Sequence, residues 1–406
     1  MNMNVLQINT ADTKGGAAKV AYSLKKELEK KGHATSMFVG RKYSDEENVK
    51  LLNDVRSFFG RIRKKMAFYF ANDIDVFSSD RILKTPEFKK ADIVHCHNLH
   101  SNYFNLNTLE KISAVKPVVW TFHDMWPITA HCGHAFDGAL KSNGFFTCPS
   151  LDIYPPIAWH NEKYLEKRKD EIYKNSNFYI VTPSKWLANK VKESALKNKP
   201  ISVIYNGVDA SIFKSQNKQE CRELLGLPKN KKIILIVAKG GQLNPWKGSN
   251  YAQETIIALK DNPTAFFVDL GGNAGPDGPN FRMAGFIANP SVLAQYYSSA
   301  DALLYPSIAD NCPLVALEAM ACGLPIVSFE TGGIPELIEH KINGYIAEYK
   351  DADDLKSGVE YLLNLPSQEI EKMRQDSVEK IKTGFTLEKM TDQYIELYEK
   401  ALSFEG

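Results

Sequence analysis

Short apolar runs alternate along nearly the whole chain with stretches in which apolar positions recur every three or four residues. That alternation predicts parallel strands covered by helices, because such strands are buried on both faces whereas each helix buries one. In the first half the runs Val5–Ile8, Thr35–Val39, Ile93–His97, Val118–Phe122 and Tyr179–Thr182 are predicted as strands. A second series is predicted at Ile201–Tyr205, a candidate domain-edge strand, then at Ile233–Val237, Ala265–Leu270, Ala302–Tyr305 and Ile326–Phe329. Helices such as Ser249–Leu259 and Ser291–Ser299 fall between them. Two doubly wound α/β units joined near Asn206 follow. Such sheets bind ligands outside the carboxyl ends of their strands, so two units facing each other are expected to enclose a central cleft. A last helix, about Leu387 to Leu402, lines up Leu387, Met390, Tyr394, Leu397, Tyr398 and Ala401 on one face and needs a partner surface.

The 406 residues are enough for two domains, each with its own core. An apolar content of 44% and a charged content of 24% are ordinary for a globular protein. With Lys+Arg 50 against Asp+Glu 48, a formal net charge of +2 gives no reason to expect a nucleic-acid partner. No apolar stretch of about 18 residues and no secretory leader is visible, which sets the expectation of a cytoplasmic protein. Cys96, Cys132, Cys148, Cys221, Cys312 and Cys322 are too scattered for a disulfide framework and are read as reduced thiols.

Candidate chemistry concentrates in a few strings. The first is Asp310-Asn311-Cys312-Pro313-Leu314-Val315-Ala316-Leu317-Glu318, with Asn311 expected to cap a helix that Gly323-Leu324-Pro325 ends. Eight residues of helix rise about 12 Å and turn about 80° beyond two full turns. Both carboxylates can then face one elongated ligand, with an anion between them on the N-terminal amides. Gly15-Gly16 follows the first strand and precedes a helix, as a phosphate-binding loop does, although a plain tight turn reads the same. Strands ending in His97 and in His123-Asp124 bring imidazoles to a carboxyl edge, where a lone histidine is more often a satisfied core group. Asn206-Gly207-Val208-Asp209 suits a sharp turn between domains. Lys247-Gly248 opens a helix after Ile233–Val237, with Lys239 earlier in the same loop, and Gly332-Gly333-Ile334-Pro335-Glu336 opens another.

Three further features have competing readings. His131, Cys132, His134 and Cys148 can be drawn as a zinc site, but their spacing is irregular and an ordered loop is the better account. Asp73-Ile74-Asp75 has the form of a metal-binding acidic pair, yet it ends no apolar strand. Residues 56–70 mix five basic side chains with Phe58, Phe59, Ile62, Met66 and Phe70, which suits either an anionic bilayer surface or packing on the first sheet.

Asn206–Asp209, Lys247-Gly248, Asp310–Gly323 and Gly332–Glu336 come in the right order over nearly the full chain and resemble the retaining family 4 glycosyltransferases, or glycosyl transferases group 1, of the GT-B fold. Asp310 stands where that family usually has the first glutamate of its E-x7-E element. The resemblance implies an acceptor-side Rossmann-like domain at 1–200, a donor-side one at 201–385, and a helix at 386–406 crossing back to the first. It implies a metal-independent enzyme, without a cofactor, that moves a sugar from a nucleoside diphosphate sugar to a glycan, lipid-linked or other hydroxyl acceptor in cell-surface polysaccharide or glycoconjugate synthesis. Lys247, Asp310 and His123 are the catalytic groups it implies. Gly15, Gly16, Asn206, Lys239, Asn311, Pro313, Leu314, Val315, Gly332 and Gly333 would line the donor site. Asp310 would hold sugar hydroxyls, Glu318 the ribose, and His97 and Asp124 would lie on the acceptor side. Apart from the resemblance, the bilayer reading of residues 56–70 would make the protein peripheral at the inner membrane face, and the packing reading would not. The family's arginine before the lysine is absent, Gln242 holding its approximate place. Two other functions stay open: a nucleotide-sugar epimerase of the same architecture, and a catalytically reduced subunit that binds a glycan or a partner enzyme.

Overall fold

A computed structural model of the chain describes residues 2–237 and 245–403. It divides into two compact units, Met1–Tyr205 with Met390–Gly406, and Asn206–Lys389. In the first, β1 (Asn4–Ala11), β2 (Ala34–Arg41), β3 (Val49–Leu51), β4 (Ile93–Cys96), β5 (Val118–Thr121), β6 (Tyr179–Thr182) and β7 (Ile201–Val203) form one sheet in the order β3-β2-β1-β4-β5-β6-β7. All its pairings are parallel. The order reverses between β1 and β4, so the loops leaving those neighbours part at a switch point where such folds bind ligands.

In the second unit, β8 (Lys232–Ile236), β9 (Ala265–Asp269), β10 (Phe281–Met283), β11 (Ala302–Tyr305), β12 (Ile326–Phe329) and β13 (Gly344–Ala347) are ordered β10-β9-β8-β11-β12-β13, again all parallel. Its switch point lies between β8 and β11. The predicted α/β class with two Rossmann-like units is what the chain forms.

Every departure from the predicted strands is at a sheet edge. Ile201–Val203 does not open the second series: Ile201 pairs with Ile180, and the strand closes the first sheet. The short strands β3, β10 and β13, absent from the prediction, are the other edges. Central strands such as β4, β5, β11 and β12 are buried at every position and read as continuous apolar runs, whereas β3 and β10 are half solvated and do not.

The C-terminal helix, Leu387–Ser403, returns from the second unit's chain to the first unit. Its apolar stripe is buried, Met390, Tyr394, Tyr398 and Ala401 almost completely. Two of these side chains are polar at the tip. Tyr398 Oη lies 2.6 Å from His95 Nδ1, while Tyr394 Oη lies 2.9 Å from Thr121 Oγ1, itself 2.8 Å from His95 Nε2. The helix is thus joined to both β4 and β5, and burial depresses the His95 pKa so that the ring stays neutral, one nitrogen donating and one accepting. Removing the Tyr398 hydroxyl leaves a buried ring nitrogen without a partner. Tyr398→Phe is expected to cost about 1–3 kcal/mol in urea denaturation followed by first-unit tryptophan fluorescence; a loss below about 0.5 kcal/mol would show that the hydroxyl does not secure the helix.

Candidate functional site

In the second unit the residues singled out from the sequence gather around Asp310. The turn Pro245–Lys247 ends at Gly248, which has φ +68 and where a Cβ would come within 1.7 Å of the Pro306 carbonyl oxygen. Only glycine fits, and the close pass puts Lys247 beside the segment after β11. Gly332, φ +54, is under the same constraint against the Asp310 carbonyl, to which Gly333 also donates its N–H at 3.3 Å. Asp310 Oδ2 accepts from Lys247 Nζ at 2.6 Å, Tyr305 Oη at 2.5 Å and Ser307 Oγ at 2.7 Å. Burial and the neighbouring Asp310 charge hold the Tyr305 phenol well above its ordinary pKa, so it remains a donor.

The helix after this segment spans Leu314–Ala321, with Pro313 as N-cap in an extended conformation and no side-chain cap. Asn311 is not the cap that the sequence suggested. A proline forces the residue before it out of the α region, so Cys312 cannot be helical and the helix starts two residues late. Asp310 therefore sits in the preceding loop and not on the helix. Glu318 is on it, buried, accepting from Tyr297 Oη at 3.2 Å. The first amides, at Leu314 and Val315, have no acceptor within the helix and carry its positive dipole end. Asn206 directs its amide to the Cys312 carbonyl at 2.7 Å and so supports this loop from the start of the unit. Lys239 and Gln242 lie outside the described residues.

In the first unit, Gly15 is the N-cap of α1 (Gly16–Lys30) at φ 119, without a side-chain cap, and Gly16 is exposed. The loop before it is shaped by Asp12, a residue with no motif around it in the sequence. Its buried carboxylate accepts from the N–H groups of Thr13, Tyr43 and Ser44. Burial raises its pKa, but those backbone donors outweigh burial and hold it below the ordinary value. At the neighbouring strand ends, His97 Nδ1 lies 2.9 Å from His123 Nε2, and His97 stacks between His95 and His123. Asp124 accepts from His100 Nε2 at 3.0 Å and from the Trp126 N–H at 2.9 Å, which anchors the turn that follows.

The loop beyond differs from expectation in one respect. Cys132 and Cys148 are joined as a disulfide, with Cα atoms 5.9 Å apart, so they are not reduced thiols; the loop folds back far enough to bring together positions 16 residues apart. Cys96, Cys221, Cys312 and Cys322 are free and buried. The bond removes both thiols from any zinc set, and His131 Nδ1 faces the Pro155 carbonyl at 3.0 Å. The Asp73 and Asp75 carboxylates are engaged with Trp126 Nε1 and with Arg168 and Asn72 respectively. Among the described residues no three His, Cys, Asp or Glu side chains gather as a metal-ligand set. Tyr305, Ser307 and Tyr297 were missed from the sequence. Tyr305 ends a predicted strand, the position where doubly wound folds concentrate ligand contacts, and that was the available signal.

Two family models match the chain: "Glycosyltransferase Family 4" over residues 14–212 and "Glycosyl transferases group 1" over residues 217–383. The chain is 26% identical over 355 residues to the putative colanic acid biosynthesis glycosyl transferase WcaC of Escherichia coli K12, spanning 83% of this chain and 85% of that protein. Among solved structures, sucrose-phosphate synthase from Thermosynechococcus elongatus superposes with a TM-score of 0.72 at 17% identity, covering 99% of this chain and 100% of that one. Anabaena HepE in complex with UDP-glucose does so with a TM-score of 0.67 at 15% identity, covering 98% and 100%. At these identities the structural likeness speaks for the fold, which is GT-B.

Burial holds the His97 imidazole well below its ordinary pKa and His123 at about 4, the Asp124 charge opposing the second shift. Both rings are neutral at pH 7. For a histidine depressed in the folded protein, the unfolded chain takes up the proton first as pH falls. The contribution to stability is therefore complete above about pH 6.5 and lost as pH drops toward the folded value. The thermal midpoint is expected to fall on acidification through this window, and to fall less in His123→Gln; superimposable profiles would show that His123 is not a cause.

Proposed function

Because the chain belongs to the family 4 glycosyltransferases of group 1, we propose that it is a retaining, metal-independent member that moves a sugar from a nucleoside diphosphate sugar to a glycan or lipid-linked hydroxyl acceptor. The likeness to WcaC supports a place in cell-surface polysaccharide or glycoconjugate synthesis. The observation that carries this reading is Lys247, held at 2.6 Å by Asp310 beside the uncapped start of the helix Leu314–Ala321.

In a retaining transfer the diphosphate departs on the face from which the acceptor attacks, so the enzyme's task is to stabilise the charge developing on that leaving group. Lys247 is the cation for it, and the Leu314 and Val315 amides add the dipole end of a helix. Without ligand, the lysine is neutralised by Asp310. When a diphosphate takes the ammonium, Asp310 keeps Tyr305 and Ser307 as donors, holding its carboxylate in place, and gains a lone pair free for a sugar hydroxyl. Glu318 is assigned to the ribose. In the first unit the uncapped Gly15-Gly16 start of α1 is a second anion-binding element, and neutral His123, with His97 and Asp124 behind it, offers a hydrogen bond to a sugar hydroxyl without adding charge.

Two experiments test this. Transfer from nucleoside diphosphate sugars, beginning with UDP-glucose, is expected to persist in excess EDTA and to lose about 10²–10³ in kcat in Lys247→Ala. Loss in EDTA restored by magnesium or manganese would overturn metal independence; a change of less than about threefold in Lys247→Ala would remove the lysine from the mechanism. Epimerised donor formed with no acceptor present would identify an epimerase instead. In calorimetry with the bare nucleoside diphosphate, Glu318→Gln is expected to weaken binding by roughly 1.5–3 kcal/mol, through loss of an ionised acceptor. Asp310→Asn should leave that affinity unchanged or tighter, because it releases Lys247, while depressing transfer. Equal weakening by both variants would show that the two carboxylates do not divide sugar and ribose between them.

A further inference from the structure

The helix α2 (Phe58–Tyr69) is oriented against the usual rule for an amphipathic helix. At 100° per residue, Phe58, Phe59, Ile62, Met66, Tyr69 and Phe70 fall within one arc of roughly 120°. That arc faces solvent: Phe58 is 67% exposed, Phe59 71% and Tyr69 67%. The helix docks instead by its small residues, Gly60 and Ala67 being the buried ones. A Cβ on Gly60 would come within 2.1 Å of the Asp54 carbonyl oxygen, so the close approach is built into the sequence. Arg63 turns inward beside them, donating to Asn53 Oδ1 at 3.1 Å. The carboxyl end is pinned from residues 158–161: the Ala158 N–H donates to the Phe68 carbonyl, Trp159 Nε1 to Tyr69 and Asn161 Nδ2 to Ala71. Trp159, itself 48% exposed, continues the aromatic surface.

The charge around this face has one sign. Residues 56–70 contain Arg56, Arg61, Arg63, Lys64 and Lys65 and no acidic residue, which leaves the rest of a chain of net charge +2 net negative. Arg61 and Lys65 border the apolar arc, and no ion pair engages Arg61, Lys64 or Lys65 among the described residues. The basic border continues through Arg56 and Lys14, whose cationic groups lie 5.0 and 4.4 Å from the Tyr43 ring centroid, to the loop that starts α1. Large apolar side chains held outward on a rigidly docked helix, edged by unpaired cations, match a surface that is apolar within and anionic at its boundary.

We propose that this face of α2, with Trp159, seats the protein on an anionic lipid bilayer, the aromatic side chains entering the headgroup region and Arg61, Lys64 and Lys65 meeting lipid phosphates. A second copy of the chain fits this face less well, because it would bring the same cations together across a two-fold axis.

Co-sedimentation with vesicles tests the proposal with no sugar or acceptor present, so its outcome is independent of the transfer chemistry. Binding is expected to vesicles containing phosphatidylglycerol, and weakly or not at all to pure phosphatidylcholine. Phe58→Ser with Phe59→Ser should reduce it at least tenfold without moving the thermal midpoint, both side chains being exposed. Arg61→Gln with Lys65→Gln should reduce it by about fivefold per charge at low salt. No sedimentation with anionic vesicles, or sedimentation unchanged in both double variants, would overturn the proposal. A concentration-dependent dimer on gel filtration that the phenylalanine pair abolishes, with no vesicle binding, would overturn it in favour of self-association.

Discussion

Three loops of the second unit meet at Asp310, and their meeting is what assembles the candidate site. Its Oδ2 collects a lysine, a phenol and a hydroxyl, while its backbone carbonyl is pressed by the glycine turn after β12. Removing one member of such a partly buried cluster leaves a charge without compensation, a cost that usually exceeds what the intact pair contributes. Tyr305 and Ser307 come from the adjacent strand end and reach the aspartate directly.

The first unit uses the opposite electrostatic strategy. Its buried imidazoles, His95, His97 and His123, are kept uncharged by burial, so they act as directional hydrogen-bond groups. His95 is satisfied on both nitrogens by groups that include the C-terminal helix, and His97 links that buried ring to His123 at the strand ends. The returning helix therefore closes the apolar core and also fixes the histidine row from behind. In the second unit, by contrast, the central contact is an ion pair, Lys247 with Asp310.

α2 shows how packing can reverse what a helix's composition suggests. Five basic and several large apolar residues admit two orientations, and the one adopted is chosen by steric fit. Gly60 and Ala67 allow a backbone approach that Phe59 or Met66 would block, so the small residues go inward and the large ones are left in solvent. Large apolar side chains gathered on one exposed helix face call for an occupant.

What the sequence determined by itself was whatever depends on local pattern. The central strands could be read because burial on both faces demands unbroken apolar runs, and Lys247-Gly248, Asp310–Glu318 and Gly332-Gly333 could be found because tight turns and helix starts require particular residues at particular places. Tertiary structure decided what depends on distant neighbours. The edge strands β3, β10 and β13 are strands only because a partner lies alongside, β7 joins the first sheet and not the second because β6 is its neighbour, and Cys132 and Cys148 pair only because a loop folds back. Lys247 meets Asp310, and Tyr297 meets Glu318, because of where their elements lie in space. The start of the helix at Leu314 is local in origin, set by Pro313 acting on Cys312, and so are two donors to Asp310, Tyr305 and Ser307 just before it; the third, Lys247, comes from far along the chain. A hydrogen bond between residues sixty positions apart has no signature in either neighbourhood of the chain.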